Sequence, residues 1–426
     1  MTTTKNNEHK KLNFSSEREQ SQACLNSAEH EKNQGRKVLN VPNLRFPEFQ
    51  GEWEEERLAD IADLYKGTGI SKDQLSDDGE PCILYGELYT KYKSETIREV
   101  ISKTNIDNTK LVRSKANDVI IPCSGETAED IATARCVLNG NILLGGDLNI
   151  IRLHGYDGAF MSYQLNGRRK YDIAKVAQGV SVVHLYGEHL KGVKTINPCL
   201  EEQKKIAKLL SLLDERISTQ SKIIEDLKKL KSAIIEIEYT PNTKTISPIG
   251  DVIEQISKRN KNNAIQNVLS VSNRQGFIKQ SDQFENRNVA SEDTSNYKIV
   301  EQNDFAFNPA RINVGSIARL TTFEKGIVSP MYICFRTQEN VAPEYIDYFF
   351  ESKHFYCEIQ KRLEGSVRQC LSFEGLCNIP LSLPSFEMQQ LIGKRLFTLG
   401  QKIKTETDLL ELLNKQKQYL LRQMFI

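Results

Sequence analysis

The sequence predicts an α+β protein, with two mixed α/β lobes joined by two long helices that pair antiparallel as a coiled coil. Three observations lead to this prediction. The chain has 426 residues, which is too long for one ordinary core and suits two lobes. Two segments show long helical periodicity, and one fixed offset brings the first half of the chain onto the second, which indicates a pseudo-two-fold internal repeat.

Two long stretches carry apolar side chains at alternating spacings of three, four and seven, the pattern of a coiled-coil seam. The first runs from Glu201 to Tyr239 and the second from Phe386 to Phe425. A proline precedes each stretch, which suits the approach to a helix start. The predicted seam positions are Leu213, Ile217, Ile224, Leu227 and Ile234 in the first stretch, and Leu399, Ile403, Leu410, Leu413 and Leu420 in the second.

The remaining sequence alternates short apolar runs with turn residues. Runs such as DVIIPC and NDFAFNP are typical of strands, and segments such as AFMSYQLNGRRKYDIAKVA are typical of helices that pack on them. Each lobe is therefore predicted to be α+β rather than a regular βαβ array. The predicted organisation is a polar, disordered arm over 1–40, lobes over 41–198 and 240–385, and helices over 199–239 and 386–426.

An offset of 186 residues relates the two halves of the chain. It carries Pro198 to Pro384 and the dipeptide Asn117-Asp118 to Asn303-Asp304. Two copies of a lobe-plus-helix unit can bury their apolar seams only against each other, which predicts the antiparallel pairing. A two-fold body matches the approximate dyad of duplex DNA, and lobes of different sequence predict different half-sites. Further matched positions are Gly179 and Gly365, Leu185 and Leu371, Glu188 and Glu374, Leu190 and Leu376, Gln203 and Gln389, and Ile206 and Ile392.

Composition narrows the class of protein without naming a function. Lysine and arginine total 57 against 56 for aspartate and glutamate, so the net charge of +1 neither demands nor forbids a nucleic-acid partner. Nine cysteines are scattered without a Cys-x-x-Cys pair, which is typical of reduced thiols. The sequence starts without an apolar signal segment and contains no stretch as long as a membrane span, so a cytoplasmic location is expected.

These features together resemble the specificity subunits of type I restriction–modification systems. The resemblance covers about residues 41–426 and rests on VPNLRFPEFQGEW, ILYGELYTKY, IPCSGETAED, LGGDLNIIRL, AQGVSVVHLYGEHLKGVKTINPCLEEQKKIAKLLSLLDERI and LPSFEMQQLI with the closing LLRQMF. It implies that the lobes are target-recognition domains and the helices are spacers. It also implies a non-catalytic chain that binds double-stranded DNA beside two methyltransferase subunits and, for cleavage, two motor–nuclease subunits. Those partners would use S-adenosylmethionine, ATP and Mg²⁺, and this chain would bind no cofactor.

Polar loops carry the candidate DNA contacts of the first lobe. The loop YKGTGISKDQ combines glycines and small hydroxyls with lysines that can neutralise phosphate, although an ordinary surface turn explains it equally well. ILYGELYTKY places tyrosines beside lysines, which also suits a strand with core tyrosines. PCSGETAED and AQGVSVVHL add hydroxyl, amide and imidazole groups. The candidates are Lys66, Thr68, Ser71, Lys72, Tyr89, Lys91, Ser124, Glu126, Thr127, Gln178, Ser181 and His184.

The second lobe offers arginine and asparagine, the side chains that read guanine and adenine in the major groove. They occur in SNRQ, NPARIN and EGSVRQ. A structural salt bridge is the alternative role for each arginine. The candidates are Asn273, Arg274, Arg311, Asn313, Ser366 and Arg368.

The sequence contains no motif for catalysis. Ser124 lacks the Gly-x-Ser-x-Gly context of a nucleophile elbow, and there is no phosphate loop, no His-Glu-x-x-His and no glycine-rich cofactor loop after a strand. No catalytic or metal-binding residue is therefore predicted. Two alternatives stay open: a stand-alone DNA methyltransferase or nuclease, and a coiled-coil scaffold that does not bind DNA. Methyl transfer by the purified chain would favour the enzyme, and absence of salt-dependent DNA affinity would favour the scaffold.

Overall fold

The computed structural model describes residues 39–107, 110–179, 182–241, 246–273, 275–283, 293–366 and 369–426. Nearly all of the arm predicted for residues 1–40 lies outside these ranges. Internal contacts divide the chain into two compact units. The first unit ends at Asp214 and also includes Lys415–Ile426, and the second comprises Glu215–Asn414. The domain bounds drawn from the sequence stay predictions.

The first unit is built on a five-stranded sheet whose centre is the buried apolar strand Asp118–Pro122. Its neighbours are antiparallel to it, with Ile120 opposite Ile150 on one side. A four-stranded sheet and two strand pairs complete the β structure. In sheet order, the strands are Ala62–Lys66, Leu148–Leu153, Asp118–Pro122, Arg135–Val137 and Thr96–Ile97; then Leu143–Leu144, Glu80–Ile83, Ser102–Thr104 and Leu75–Ser76; and the pairs are Glu54–Arg57 with Lys194–Asn197 and Val183–His184 with Ser124–Gly125.

Short helices pack on these sheets. The longest, Gly158–Asn166, is capped by the Asp157 carboxylate, which accepts from the Phe160 amide at 2.8 Å. Phe160 on this helix contributes to a core that also contains Trp53. The other helices of the first unit are Leu58–Ile61, Glu87–Thr90, Ala128–Ile131, Lys170–Val176 and Gly187–Lys191, with a 3₁₀ turn at Lys72–Gln74.

The second unit contains two four-stranded sheets and one strand pair. Their strands, in sheet order, are Ile253–Ile256, Ile333–Thr337, Phe305–Phe307 and Ile317–Arg319; then Gly276–Lys279, Val268–Ser272, Lys325–Val328 and Lys298–Glu301; and the pair Ile246–Pro248 with Pro380–Ser382. The helices are Gln280–Gln283, Pro343–Phe349, Lys353–Gln360 and Phe373–Cys377, with 3₁₀ turns at Ile249–Asp251 and Ile312–Val314.

The two units repeat one topology. The first sheet of the second unit has the same strand order as the first four strands of the five-stranded sheet. Both units also contain an equivalent parallel strand pair, Leu143–Leu144 with Glu80–Ile83 and Lys325–Val328 with Val268–Ser272, and the first unit has a further one, Thr96–Ile97 with Arg135–Val137. The mixed α/β lobes and the internal repeat predicted from the sequence are therefore confirmed.

Two long helices follow the two lobes in sequence, as the periodicity predicts. The central helix spans Leu200–Glu238 and the C-terminal helix spans Phe386–Gln423. All ten predicted seam positions are buried or half-buried. Asp214 of the central helix bonds Lys417 of the C-terminal helix within the first unit, and Gln220 bonds Glu406 within the second. A later residue of the central helix therefore contacts an earlier residue of the C-terminal helix. The helices therefore pair antiparallel.

Each lobe core includes the start of the helix that follows it and the end of the other long helix. In the first unit, Ile206 and Leu210 share a core with Met424 and Phe425. In the second unit, Ile392 and Leu396 near the start of the C-terminal helix share a core with Ile235 and Tyr239 at the end of the central helix. Among the described residues, no helix is both long and apolar enough to cross a membrane.

The repeated glutamines tie each long helix to its lobe. The amide nitrogen of Gln203 donates to the proline carbonyl five residues earlier at 2.8 Å, and its oxygen accepts from the Asp157 amide at 2.9 Å. Gln389 repeats both contacts, the second with the Ala342 amide, at 2.9 Å each. Both side chains are buried, so the repeat preserves a satisfied polar anchor.

The repeated Asn-Asp dipeptides build the same turn in both units. Asn117 and Asn303 adopt left-handed backbone angles, with φ of 78° and 71°. Asparagine tolerates this conformation better than most residues. The aspartate that follows each one accepts a backbone amide three residues earlier at 2.7 Å.

The same aspartates hold an arginine on the neighbouring strand. Asp118 bonds Arg152 through two contacts of 2.9 and 2.7 Å, and Asp304 bonds Arg336 through two of 3.0 and 3.1 Å. Both aspartates are buried. A two-point pair of this kind fixes strand alignment as well as charge. The sequence repeat thus marks a structural element of each sheet.

Candidate nucleic-acid interface

A pair of polar loops lies at the end of the central strand of the first unit. The strand Asp118–Pro122 leads into the first loop, residues 123–127, and the second loop spans residues 178–184. The Leu185 amide donates to the Cys123 carbonyl at 2.8 Å. Strand Val183–His184 pairs with Ser124–Gly125, so the two loops are joined by backbone bonds.

The second unit repeats this loop pair at the offset of 186. The Leu371 amide donates to the Pro309 carbonyl at 3.0 Å, as Leu185 does to Cys123. The second loop of each pair is closed by a two-bond bridge, between Gln178 and His184 at 2.9 and 2.7 Å and between residues 364 and 370 at 2.9 and 2.8 Å. The described residues of segments 123–127 and 178–184, and of segments 309–313 and 364–370, are called the loop pairs below.

A glycine opens each bridged loop in a conformation that favours this residue. Gly179 and Gly365 have φ of +121° and +102°. A Cβ on Gly179 would lie 2.1 Å from the Val182 carbonyl oxygen, which no side chain can accept. The match between these glycines in the sequence therefore has a backbone cause.

Four predicted contacts of the first unit come together at its loop pair. The Ser124 hydroxyl lies 3.2 Å from His184 Nδ1, and the Tyr89 hydroxyl donates to the Ser124 carbonyl at 3.1 Å. Burial raises the pKa of Tyr89, so its hydroxyl stays a neutral donor. Gln178 joins this group through its backbone bridge to His184.

Tyr186 adds an exposed aromatic ring that the sequence analysis did not select. Its ring stacks on His184 with centroids 6.2 Å apart, and its side chain is half exposed. Exposed aromatic rings offer a surface for bases or sugars. The sequence carried one signal for it, since Tyr186 follows the quoted loop directly, but only the ring geometry shows that it stacks on His184.

Both lysines of the glycine-containing loop 65–74 are exposed, and the first of them is ion-paired. Lys66 lies 3.8 Å from Asp147, and the Thr68 hydroxyl accepts from the Val112 amide at 3.0 Å. Ser71 and Gln74 form a capping box at the 3₁₀ turn, which leaves the Lys72 side chain exposed. Lys72 is thus the lysine of this loop that forms no ion pair with a described residue.

Other candidates of the first unit have structural contacts. Lys91 donates to Glu87 and to Ser102, both at 2.7 Å, in a partly buried cluster. Thr127 caps helix Ala128–Ile131 by accepting from the Asp130 amide at 3.1 Å, and Glu126 before it is exposed. Their predicted DNA contacts stay predictions.

In the second unit, three candidates lie on adjacent turns. Arg311 precedes the 3₁₀ turn that includes Asn313, and its side chain is exposed. Ser316 bonds both turns, because its amide donates to the Arg311 carbonyl at 3.1 Å and its hydroxyl donates to the Val271 carbonyl at 3.2 Å. Asn273 follows that strand and is also exposed. Ser316 thus links the turn that contains Arg311 and Asn313 to the strand that Asn273 follows.

Of the four remaining candidates, one is exposed and three lie outside the described residues. Ser366 is exposed on the second bridged loop. Ser181, Arg274 and Arg368 lie outside the described residues. Their predicted DNA contacts therefore rest on the sequence alone.

A basic cleft of about 750 Å³ follows strand Ile253–Ile256 of the second unit, as residues 67–74 follow strand Ala62–Lys66 of the first. The sequence points to the cluster Lys258, Arg259 and Lys261, for which phosphate contact and plain solvation are equally good explanations. Lys325 also lines the cleft. The sequence did not indicate this residue, because it lies on a distant strand, Lys325–Val328.

The sequence model of the family described as type I restriction modification DNA specificity domain matches residues 50–229 and 241–415. The chain belongs to this family. The match occurs twice, once for each lobe and the helix that follows it. Specificity subunits are the non-catalytic members of type I systems, and they assemble into complexes with other subunits.

Individual proteins agree with this assignment. The chain is 25% identical to the type I restriction enzyme MjaVIII specificity subunit of Methanocaldococcus jannaschii, with 88% of this chain and 90% of that one covered. It is 24% identical to the putative MjaX specificity subunit of the same organism, with 90% and 93% covered. A crystal structure of the type I restriction–modification S subunit from M. genitalium has the same fold, with a TM-score of 0.60, 17% identity, and coverage of 91% and 99%.

Membership of the specificity-subunit family decides between the interpretations that the sequence left open. It favours a DNA-recognition subunit over a stand-alone methyltransferase or nuclease and over a scaffold. The contact between Ser124 and His184 then has a structural explanation, since it joins the two strands of a loop pair.

Proposed function

We propose that this specificity subunit reads a bipartite, asymmetric site in double-stranded DNA, with one half-site for each unit. The observation that carries the proposal is the loop pair, which occurs twice on the same backbone with different side chains. The first unit presents Ser124, Gln178 and His184, and the second presents Arg311 and Asn313. A shared frame with different polar groups suits two recognition surfaces of different specificity.

The proposal includes partner subunits that carry out the chemistry. Two methyltransferase subunits would modify adenine with S-adenosylmethionine, and motor–nuclease subunits would restrict DNA with ATP and Mg²⁺, while this chain binds no cofactor. The central helix has a surface that suits protein partners: Ile223, Leu230 and Ile237 recur every seven residues and are 39%, 50% and 75% exposed. Exposed apolar residues in such a row are typical of an interaction surface.

Exchange of the first lobe tests the assignment of one half-site to each unit. We expect replacement of residues 41–198 by the lobe of another specificity subunit to change one half of the methylated sequence and leave the other intact. Methylome sequencing of cells with the chimera and its methyltransferase measures this outcome. A change in both halves would contradict the proposal, and so would active methylation of an unaltered sequence.

Arg311→Ala tests one contact within the second loop pair. If the guanidinium reads a guanine edge, its loss is expected to weaken binding to the target by about 1–3 kcal/mol, or roughly 5- to 150-fold. Binding to duplex without the target is expected to change little. Fluorescence anisotropy of the methyltransferase complex, on the target found by methylome sequencing, gives both affinities. Arg395→Ala is the matched control, because that arginine is exposed on the C-terminal helix. An equal loss on both duplexes would assign Arg311 to phosphate instead.

A further inference from the structure

A second basic cleft lies in the first unit, away from the loop pair. Its volume is about 420 Å³. Strand Arg135–Val137, the end of helix Gly158–Asn166 and the end of the C-terminal helix form its walls. The cationic lining residues are Arg135, Arg168, Lys170 and Arg422.

Two of the arginines are oriented by carbonyl groups and not by acids. Arg135 donates to the carbonyls of Tyr92 at 3.1 Å and Ala134 at 2.9 Å. Arg168 donates to the carbonyls of Phe425 at 3.3 Å and Arg422 at 2.9 Å. Carbonyl bonds hold a guanidinium in place without neutralising its charge, although Arg135 is also attracted by the nearby carboxylates of Glu95 and Asp214.

The lining contains one acid, Glu95, and that carboxylate is already engaged. It bonds the Lys417 ammonium at 2.5 Å, and this lysine also bonds Asp214 at 2.6 Å. Across the described part of the chain, none of the four cationic lining residues forms an ion pair with an acid within 4.0 Å. Lys417 is shared by two carboxylates, so Glu95 and Asp214 also compensate part of the Arg135 charge. Among the described residues, the positive charge that the walls leave unpaired is that of Arg168, Lys170 and Arg422.

The fold itself does not require these cations. Strand pairing places Ala318 of the second unit where the first has Arg135. The offset of 186 places His354, Tyr356 and Glu236 at the positions of Arg168, Lys170 and Arg422. Glu236 there accepts from the Lys353 amide at 3.0 Å, a contact between neighbouring helices. The second unit thus builds the same corner without a lysine or arginine at these four positions, which indicates that the charge in the first serves a ligand.

We infer that this cleft binds a phosphate group, supplied either by a free nucleotide or by a DNA backbone. Guanidinium groups match phosphate oxygens in pairs, and clustered cations are stabilised when an anion comes between them. A volume of about 420 Å³ lies in the range of clefts that hold small ligands. This site is additional to the loop pairs and does not depend on their reading of bases.

The test uses the full chain and inorganic pyrophosphate as the probe, in a chloride buffer without phosphate or sulfate. Isothermal titration calorimetry is expected to show saturable binding. The double variant Lys170→Gln with Arg422→Gln is expected to weaken it at least tenfold. These two side chains are chosen because Arg168 also bonds the chain end, so that its replacement would disturb the fold. The control is Lys204→Gln with Lys208→Gln, two exposed lysines of the central helix.

Two further measurements identify the source of the phosphate. If the phosphate belongs to a nucleotide, we expect ADP to bind at least as tightly as pyrophosphate and duplex DNA not to displace pyrophosphate. For a DNA backbone, non-target duplex displaces pyrophosphate, and the salt dependence of duplex binding becomes shallower by about 2 in the double variant. Lack of saturable pyrophosphate binding by the unaltered chain, or an equal loss in the control, overturns the inference. If the same samples still bind target duplex more tightly than non-target duplex, the proposed recognition of DNA holds although the phosphate inference fails.

Discussion

Replacement of Lys417 by methionine is expected to destabilise the first unit by about 3–5 kcal/mol, the usual cost of leaving a buried charge without its partner. The Lys417 side chain is 12% exposed and bonds two carboxylates, Glu95 at 2.5 Å and Asp214 at 2.6 Å. Asp214 also accepts from Tyr163 at 2.8 Å and Ser94 at 2.9 Å. Methionine fills similar volume but offers no donor, so both acids lose their compensation. Urea denaturation of the full chain, followed by circular dichroism, measures the change.

The same substitution at an exposed lysine supplies the control. Lys229 on the central helix pairs with Glu225 at 2.7 Å, and their side chains are 68% and 65% exposed. Because solvent screens this pair, Lys229→Met is expected to leave the urea midpoint unchanged. Similar shifts for the two variants would mean that Lys417 has no special place in the first unit.

The loss at Lys417 is also expected to depend on pH. Burial raises the pKa of Glu95 above its ordinary value of 4.5, and Lys417 opposes this rise. In Lys417→Met the rise is unopposed, so the folded state binds a proton more tightly than the unfolded state does. A carboxyl group whose pKa is higher in the folded state than in the unfolded state stabilises the folded protein at pH values below its unfolded-state pKa. This stabilisation is lost as the pH rises through its folded-state pKa. The variant should therefore be less destabilised at about pH 5 than at about pH 8. A loss that is larger at the lower pH would contradict this account.

The long helices could be predicted from the sequence because their signal accumulates over many turns. A seam repeated from Leu213 to Ile234 leaves little alternative to a paired helix. The strands of the lobes are two to six residues long, and their partners come from distant segments. Comparison of the two halves at the offset of 186 found the matching dipeptides Asn117-Asp118 and Asn303-Asp304. It could not explain why they match, because the arginines that the aspartates bind lie on other strands.

The candidate site shows the same limit at the level of side chains. Residue type selected both Lys72 and Lys91 as phosphate contacts, but their surroundings differ. Lys72 is exposed, whereas Lys91 bonds Glu87 and Ser102, and Ser102 is 11 residues away in sequence. Composition tells which groups can bind phosphate, but the partner that already occupies a group is set by tertiary packing. The equivalence of the loop pairs likewise needed the backbone bonds of Leu185 and Leu371.

The end of the C-terminal helix supplies the second large effect. Phe425 is 2% exposed, and its ring lies 5.2 Å from that of Phe160, which contacts Trp53 at 5.9 Å. Phe425→Ala removes a buried ring from this core, which is expected to cost about 3–5 kcal/mol. Tyr239 of the second unit, 186 residues earlier, lies in the same way on Tyr345 at 4.7 Å. The repeat thus places an aromatic residue wherever a long helix ends in a lobe.

The single tryptophan makes the Phe425→Ala prediction directly observable. Trp53 is 2% exposed and lies one ring away from Phe425, so opening of this core is expected to shift its fluorescence to longer wavelength. The matched control is Tyr419→Ala on the same helix, where the ring is 59% exposed and the expected change is within about 0.5 kcal/mol. Urea titration of both variants, followed by Trp53 emission, compares them. If Phe425→Ala kept the midpoint and the emission of the unaltered chain, the helix end would not belong to the core of the first lobe. A lowered midpoint for that variant alone would show that the end of the C-terminal helix holds the first lobe together.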